Sequence, residues 1–147
     1  MPDSVTFADL VVFTQVLSTA VMFGLIWFVQ VVHYPLMGWV GPEDAVAYEN
    51  EHVRRTGFVV NPAMLLELVT TLMLPFIDGV PAWLAWTGVV LLGVNWASTF
   101  LLQVPLHLRL CREFDPEAVD RLVRTNWIRT AAWSGRAVLV VILAMGW

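Results

Sequence analysis

The chain has 147 residues, of which 59% are hydrophobic and 14% charged, with a formal net charge of −4. A water-soluble domain carries about a quarter of its residues as charged groups, so composition excludes an ordinary soluble enzyme and points to the membrane class. One cysteine excludes an intrachain disulfide, and all eight basic residues are arginines.

The N-terminus carries Asp3 and Asp9 and no basic residue before the first apolar run, 11–32. That run is longer than the roughly 7–15 residues of a signal-peptide core and close to the roughly 20 needed to span a bilayer. It reads as a first transmembrane helix, closed by Gln30 and His33. After Gly41-Pro42, residues 43–55 hold good helix formers, predominantly polar and without a breaker, and predict a short amphipathic helix carrying His52. The second run, 58–77, opens on Asn61-Pro62 and contains Glu67. Asp78-Gly79 and Pro81 then mark a tight turn. The third run, 82–104, places Asn95, Thr99, Gln103 and His107 at four-residue steps, a row that drifts slowly around one side. Asp115-Pro116 is a helix start, an N-cap acid followed by proline at the first helical position. Ala118, Val119, Leu122 and Val123 form an apolar stripe behind it. The fourth run, 127–147, puts Asn126, Arg129, Trp133 and Arg136 on one face. The expected fold is all-α: a single-domain integral membrane four-helix bundle over 1–147, with short amphipathic helices in two loops.

Spans alternate direction, so loops 33–57 and 105–126 share one side. Six arginines lie in those loops and the other two enter the fourth span from the same end, while the opposite side has none. The positive-inside rule makes the loops cytoplasmic and both termini external, as expected of a multi-pass protein of a bacterial-type inner (plasma) membrane. Membrane lipid is the expected surrounding. No nucleic-acid partner is expected, and self-association is left open.

Ionisable groups inside spans are costly and face the bundle interior. Glu67 and Arg136 each lie nine residues into their runs from the same side, about 13 Å deep at 1.5 Å per residue. This predicts a buried ion pair. Two roles follow for it. It fixes helix neighbours, or Glu67 serves as metal ligand or proton acceptor while Arg136 tunes it or holds a substrate anion. His33, His52 and His107 all fall at the loop end, and with Glu67 they would suit iron, copper or zinc. A His33–His107 pair would also suit haem. Gln103 and Asn61 are candidates to line a polar chamber that binds a cofactor, and Asn126, Arg129 and Arg136 to position substrate.

His33-Tyr34-Pro35-Leu36 after the first span, Asn61-Pro62 opening the second and Arg124-Thr125-Asn126-Trp127-Ile128-Arg129-Thr130 opening the fourth together resemble the small four-helix membrane proteins grouped with anthrone oxygenases. That resemblance implies oxidation of an aromatic, lipophilic substrate and carries over Asn61, Asn126 and Arg129. The layout is also similar to the small bacterial membrane protoporphyrinogen oxidases, which have a first-helix histidine but rely on a lysine this chain lacks. The leading expectation is a membrane oxidoreductase or oxygenase acting on an aromatic, quinone-like, porphyrin or lipid substrate. The alternative is a non-catalytic accessory or ligand-binding subunit whose buried polar groups only fix helix packing.

Overall fold

A computed structural model describes residues 5–146; Asp3 and Trp147 lie outside the described residues. Four long helices account for nearly all of the rest: α1 (Phe7–Met37), α2 (Pro42–Phe76), α3 (Ala82–Leu110) and α4 (Pro116–Ala144). All four are long and apolar enough to cross a membrane, as a multi-pass membrane protein requires.

Local chemistry sets the helix starts. Thr6 and Asp9 close a capping box on α1, each satisfying a backbone N–H of the first turn. Asp115 Oδ1 accepts from the backbone N–H groups of Glu117 and Ala118 at 3.0 and 3.3 Å, and Pro116 begins α4 as expected. The turn between α2 and α3 uses Gly79 at φ +88°, a conformation that glycine adopts without steric cost.

The loop helices are not separate elements. Residues 43–55 form the first part of α2, which continues without a break into the second span, with Pro62 inside it. The residues from Asp115 onward likewise run directly into the fourth span. Nothing between the polar and apolar parts of either segment can stop a helix. At 1.5 Å per residue, α2 extends about 52 Å and must project well beyond a hydrocarbon core of about 30 Å.

Two irregularities recur near the loop end. Val29–His33 in α1 and Thr99–Gln103 in α3 are π-helical turns, and in each case a proline follows two residues later, Pro35 and Pro105. Proline removes a donor from the regular ladder. The wide turn re-forms the ladder one residue later, through Tyr34 N–H to the Val29 carbonyl and Val104 N–H to that of Thr99. The extra residue also offsets the drift of the Asn95–His107 row, so that Gln103 is buried and His107 half-buried on the same side.

α4 packs closely on α1 and α3, and α1 on α2, whereas the α2–α3 seam is the thinnest of the four. Apolar clusters alternate with polar layers along the axis. Val11, Leu74, Leu84 and Leu143 pack the end away from the loops; Met22, Ile26, Met64 and Trp133 the middle; Tyr34, Met37, Leu110 and Leu122 the loop end. Large apolar side chains such as Phe13, Leu65, Val90 and Val138 face outward, where lipid is the solvent.

Candidate functional site

The inner polar layer is the predicted ion pair, and it is saturated. Glu67 has no exposed surface. Its Oε1 accepts from Arg136 Nε at 2.9 Å and Thr19 Oγ1 at 2.8 Å, and its Oε2 from Trp133 Nε1 at 2.8 Å. Arg136 spends its other nitrogens on the Gly88 carbonyl and Thr71 Oγ1. Gln15 ties Thr19, Thr70 and Thr71 into the same network. Donors and acceptors match, so neither charge is free to take a ligand.

The outer polar layer is built differently. Glu49 and His52 stand three residues apart on α2, which puts both on one helix face, and His107 reaches them from α3. One ligand atom from each of Glu49, His52 and His107 lies within 4.8 Å of the others. Glu49 Oε1 meets His107 Nδ1 at 2.5 Å. The other nitrogen of that ring, Nε2, meets the Tyr34 hydroxyl at 3.0 Å. His33 Nε2 meets His52 Nδ1 at 2.8 Å, with Thr56 Oγ1 3.0 Å from the same atom. Glu49 is only 2% exposed, yet its Oε2 has no hydrogen-bond partner.

A carboxylate and two imidazoles with a spare buried lone pair are the donor set of a catalytic zinc or non-haem iron site. With its proton on Nδ1, His52 donates to His33 and leaves Nε2 free to ligate. His107 Nδ1 would give up its proton and its hydrogen bond to Glu49 on ligating, leaving Nε2–H facing Tyr34. Metal-bound histidines are held by such outer hydrogen bonds.

The sequence-derived candidates are divided between the two layers. Glu67 and Arg136 lie in the saturated network, and the acid beside the histidines is Glu49 instead. His33 contacts His52 rather than joining the three-group cluster. Gln103, Asn61 and Arg129 line a cavity of about 170 Å³ together with His52, His107 and Tyr34. Asn126 stands behind it, donating to Gln30 Oε1 at 3.0 Å and accepting from Arg129 Nη1 at 3.3 Å. Glu49 and Tyr34 escaped the sequence reading. The pattern Glu49-x-x-His52 was the available signal, because carboxylate and imidazole at i, i+3 share a face and recur in helical-bundle metal sites.

No protein-family model, curated protein or solved structure matches the chain.

Proposed function

We propose that this protein is a membrane oxidoreductase with a metal centre held by Glu49, His52 and His107, acting on a lipophilic substrate in the adjoining cavity. The observation that carries this reading is the unpartnered Oε2 of Glu49, buried beside two imidazoles that line a cavity. Leaving such a group unpaired is costly, and a cation at the cluster would satisfy it. Two histidines and one carboxylate with open positions are the ligand set used by non-haem iron for dioxygen chemistry. With dioxygen as oxidant, conversion of an activated methylene to a carbonyl balances without a reductant. One oxygen atom enters the substrate and the other leaves as water with both hydrogens. The arginine bias puts this end of the bundle on the cytoplasmic side of a plasma membrane.

Metal analysis of detergent-purified protein, with cobalt(II) titration followed by absorption, tests the centre. One ion per chain is expected, lost in His52→Ala, His107→Ala and Glu49→Ala while the helical circular dichroism is kept. A protein that binds no iron, cobalt or zinc would sink the proposal. One observation favours a second reading: the chain Glu49–His107–Tyr34 could act as a metal-free base, with the carboxylate orienting the imidazole. Turnover that survives complete chelation would select it.

A further inference from the structure

We infer that the cavity between α2 and α3 is an anion subsite, taking an oxyanion on an apolar body, with Arg129 as its counter-ion. A lipophilic carboxylic acid in its ionised form has that chemistry. The inference builds on the reading that the cavity takes a lipophilic substrate, but does not depend on a metal being bound.

The two buried arginines of this bundle are treated differently. Arg136 is paired with Glu67. Arg129 is 6% exposed, and among the described residues it forms no ion pair. Its partners are neutral: Nη1 reaches Asn126 Oδ1 at 3.3 Å, and the guanidinium also lies in hydrogen-bonding range of the Tyr34 hydroxyl. Its face lies 5.2 Å from the Trp133 ring centre, and its Nε has no partner at all. An unpaired buried cation is expensive to maintain. A fold that can place a glutamate against one arginine has left the other turned toward a cavity whose lining contains no acid.

The rest of the lining says what the anion would be attached to. Asn61 offers an amide N–H in the same lining, whereas Gln103 donates its amide to Thr125 and turns an unpartnered Oε1, an acceptor, to the cavity, which suits a donor elsewhere on the ligand rather than the anion. Val53, Val104 and Leu108 line the same cavity and are exposed on the outer surface, at the thinnest helix seam, so the apolar part of a ligand reaches lipid there. The cavity, about 170 Å³, is comparable with the roughly 150 Å³ that accepts a benzene molecule. A ring or short acyl segment therefore fits inside, with a longer tail in the bilayer. Arginine's planar fork matches a carboxylate in two parallel hydrogen bonds.

The test uses chelator-treated protein in nanodiscs of zwitterionic lipid, titrated with 4-octylbenzoate and with the neutral 4-octylbenzamide. The acid is expected to bind about tenfold or more tightly than the amide. Arg129→Gln should abolish that preference and Arg129→Lys keep part of it. Adding a minor fraction of phosphatidic acid distinguishes the sources: displacement of the probe identifies a lipid headgroup as the natural anion, and no displacement a free acid. Equal affinities for acid and amide in the unaltered protein overturn the inference, as does a preference that survives in folded Arg129→Gln. Should Arg129→Gln fail to fold, the acid-to-amide ratio in the unaltered and Arg129→Lys proteins decides. Because metal is removed throughout, failure here is separable from failure of the metal centre.

Discussion

Exchanging Arg136 for methionine removes three donors at once, those to Glu67, to the Gly88 carbonyl and to Thr71 Oγ1. Thr71 keeps its bond to Gln15, so the loss falls on the Glu67 carboxylate. Interhelical hydrogen bonds inside membranes average about 0.6 kcal/mol, whereas stranding a buried charge costs about 3–5 kcal/mol. The charge therefore dominates. Thr19 and Trp133 still donate to the carboxylate, which puts the expected loss near the lower figure, about 3 kcal/mol. Glu67→Leu should cost a similar amount, because it strands the Arg136 guanidinium instead. Glu67→Leu/Arg136→Met removes both charges and chiefly orphans the Trp133 N–H, a penalty of about 1–3 kcal/mol. The double variant should thus be no less stable than either single one, giving a coupling of about 3 kcal/mol or more. Equilibrium unfolding in mixed micelles, followed by circular dichroism, measures it. Cobalt(II) titration of the folded double variant should match that of the unaltered protein. Additive losses, or a double variant that folds but binds no metal, would refute the assignment of this pair to structure.

Two further outcomes follow from the outer layer and the loop. Tyr34→Phe removes one buried hydroxyl that meets His107 Nε2 and also neighbours Arg129; metal affinity should fall about tenfold while unfolding stability changes by no more than about 1.5 kcal/mol. Cys111, the sole cysteine, lies between α3 and α4, and burial together with the nearby Glu49 carboxylate pushes its thiol pKa up. A membrane-impermeant maleimide should therefore label it slowly at neutral pH and faster as pH rises and thiolate forms, and only in inverted vesicles; labelling in intact spheroplasts would reverse the proposed orientation.

Four apolar runs and lopsided arginines made the bundle legible from sequence, because bilayer thickness leaves few alternatives for 20-residue apolar segments. The Glu67–Arg136 pair was legible for a related reason: two isolated charges at equal depth must find each other. Glu49 was harder to see. It sits in a polar stretch with Glu43, Asp44 and Glu51, and burial of one acid among several depends on α2 continuing unbroken past the membrane surface and facing α3. The π turns were equally hidden, since nothing in the apolar pattern around Pro35 and Pro105 marks an extra residue in a helical turn. In the folded chain the helix runs through each proline, with His33 and Tyr34 just before Pro35 and His107 two residues after Pro105.

The two polar layers use similar residues and end differently. In the inner one Glu67, Arg136 and Gln15 find partners for every charged or amide atom, and a closed network of that kind fixes helix register without needing a ligand. In the outer one Gln103 Oε1 and Arg129 Nε stay unpartnered at the cavity, and Glu49 Oε2 does so just behind His107. Each such buried group costs about 1–3 kcal/mol, which packing alone would not require, since small apolar residues can hold membrane helices together. The Glu67–Arg136 network resolves the same problem completely, so the open valences at one cavity are what a ligand there would satisfy; the unpartnered Asn95 amide on α3, outside the cavity lining, is not accounted for in this way. The Glu49 oxygen beside the imidazoles suits a cation and Arg129 an anion, while the Gln103 acceptor calls for a donor on the bound molecule.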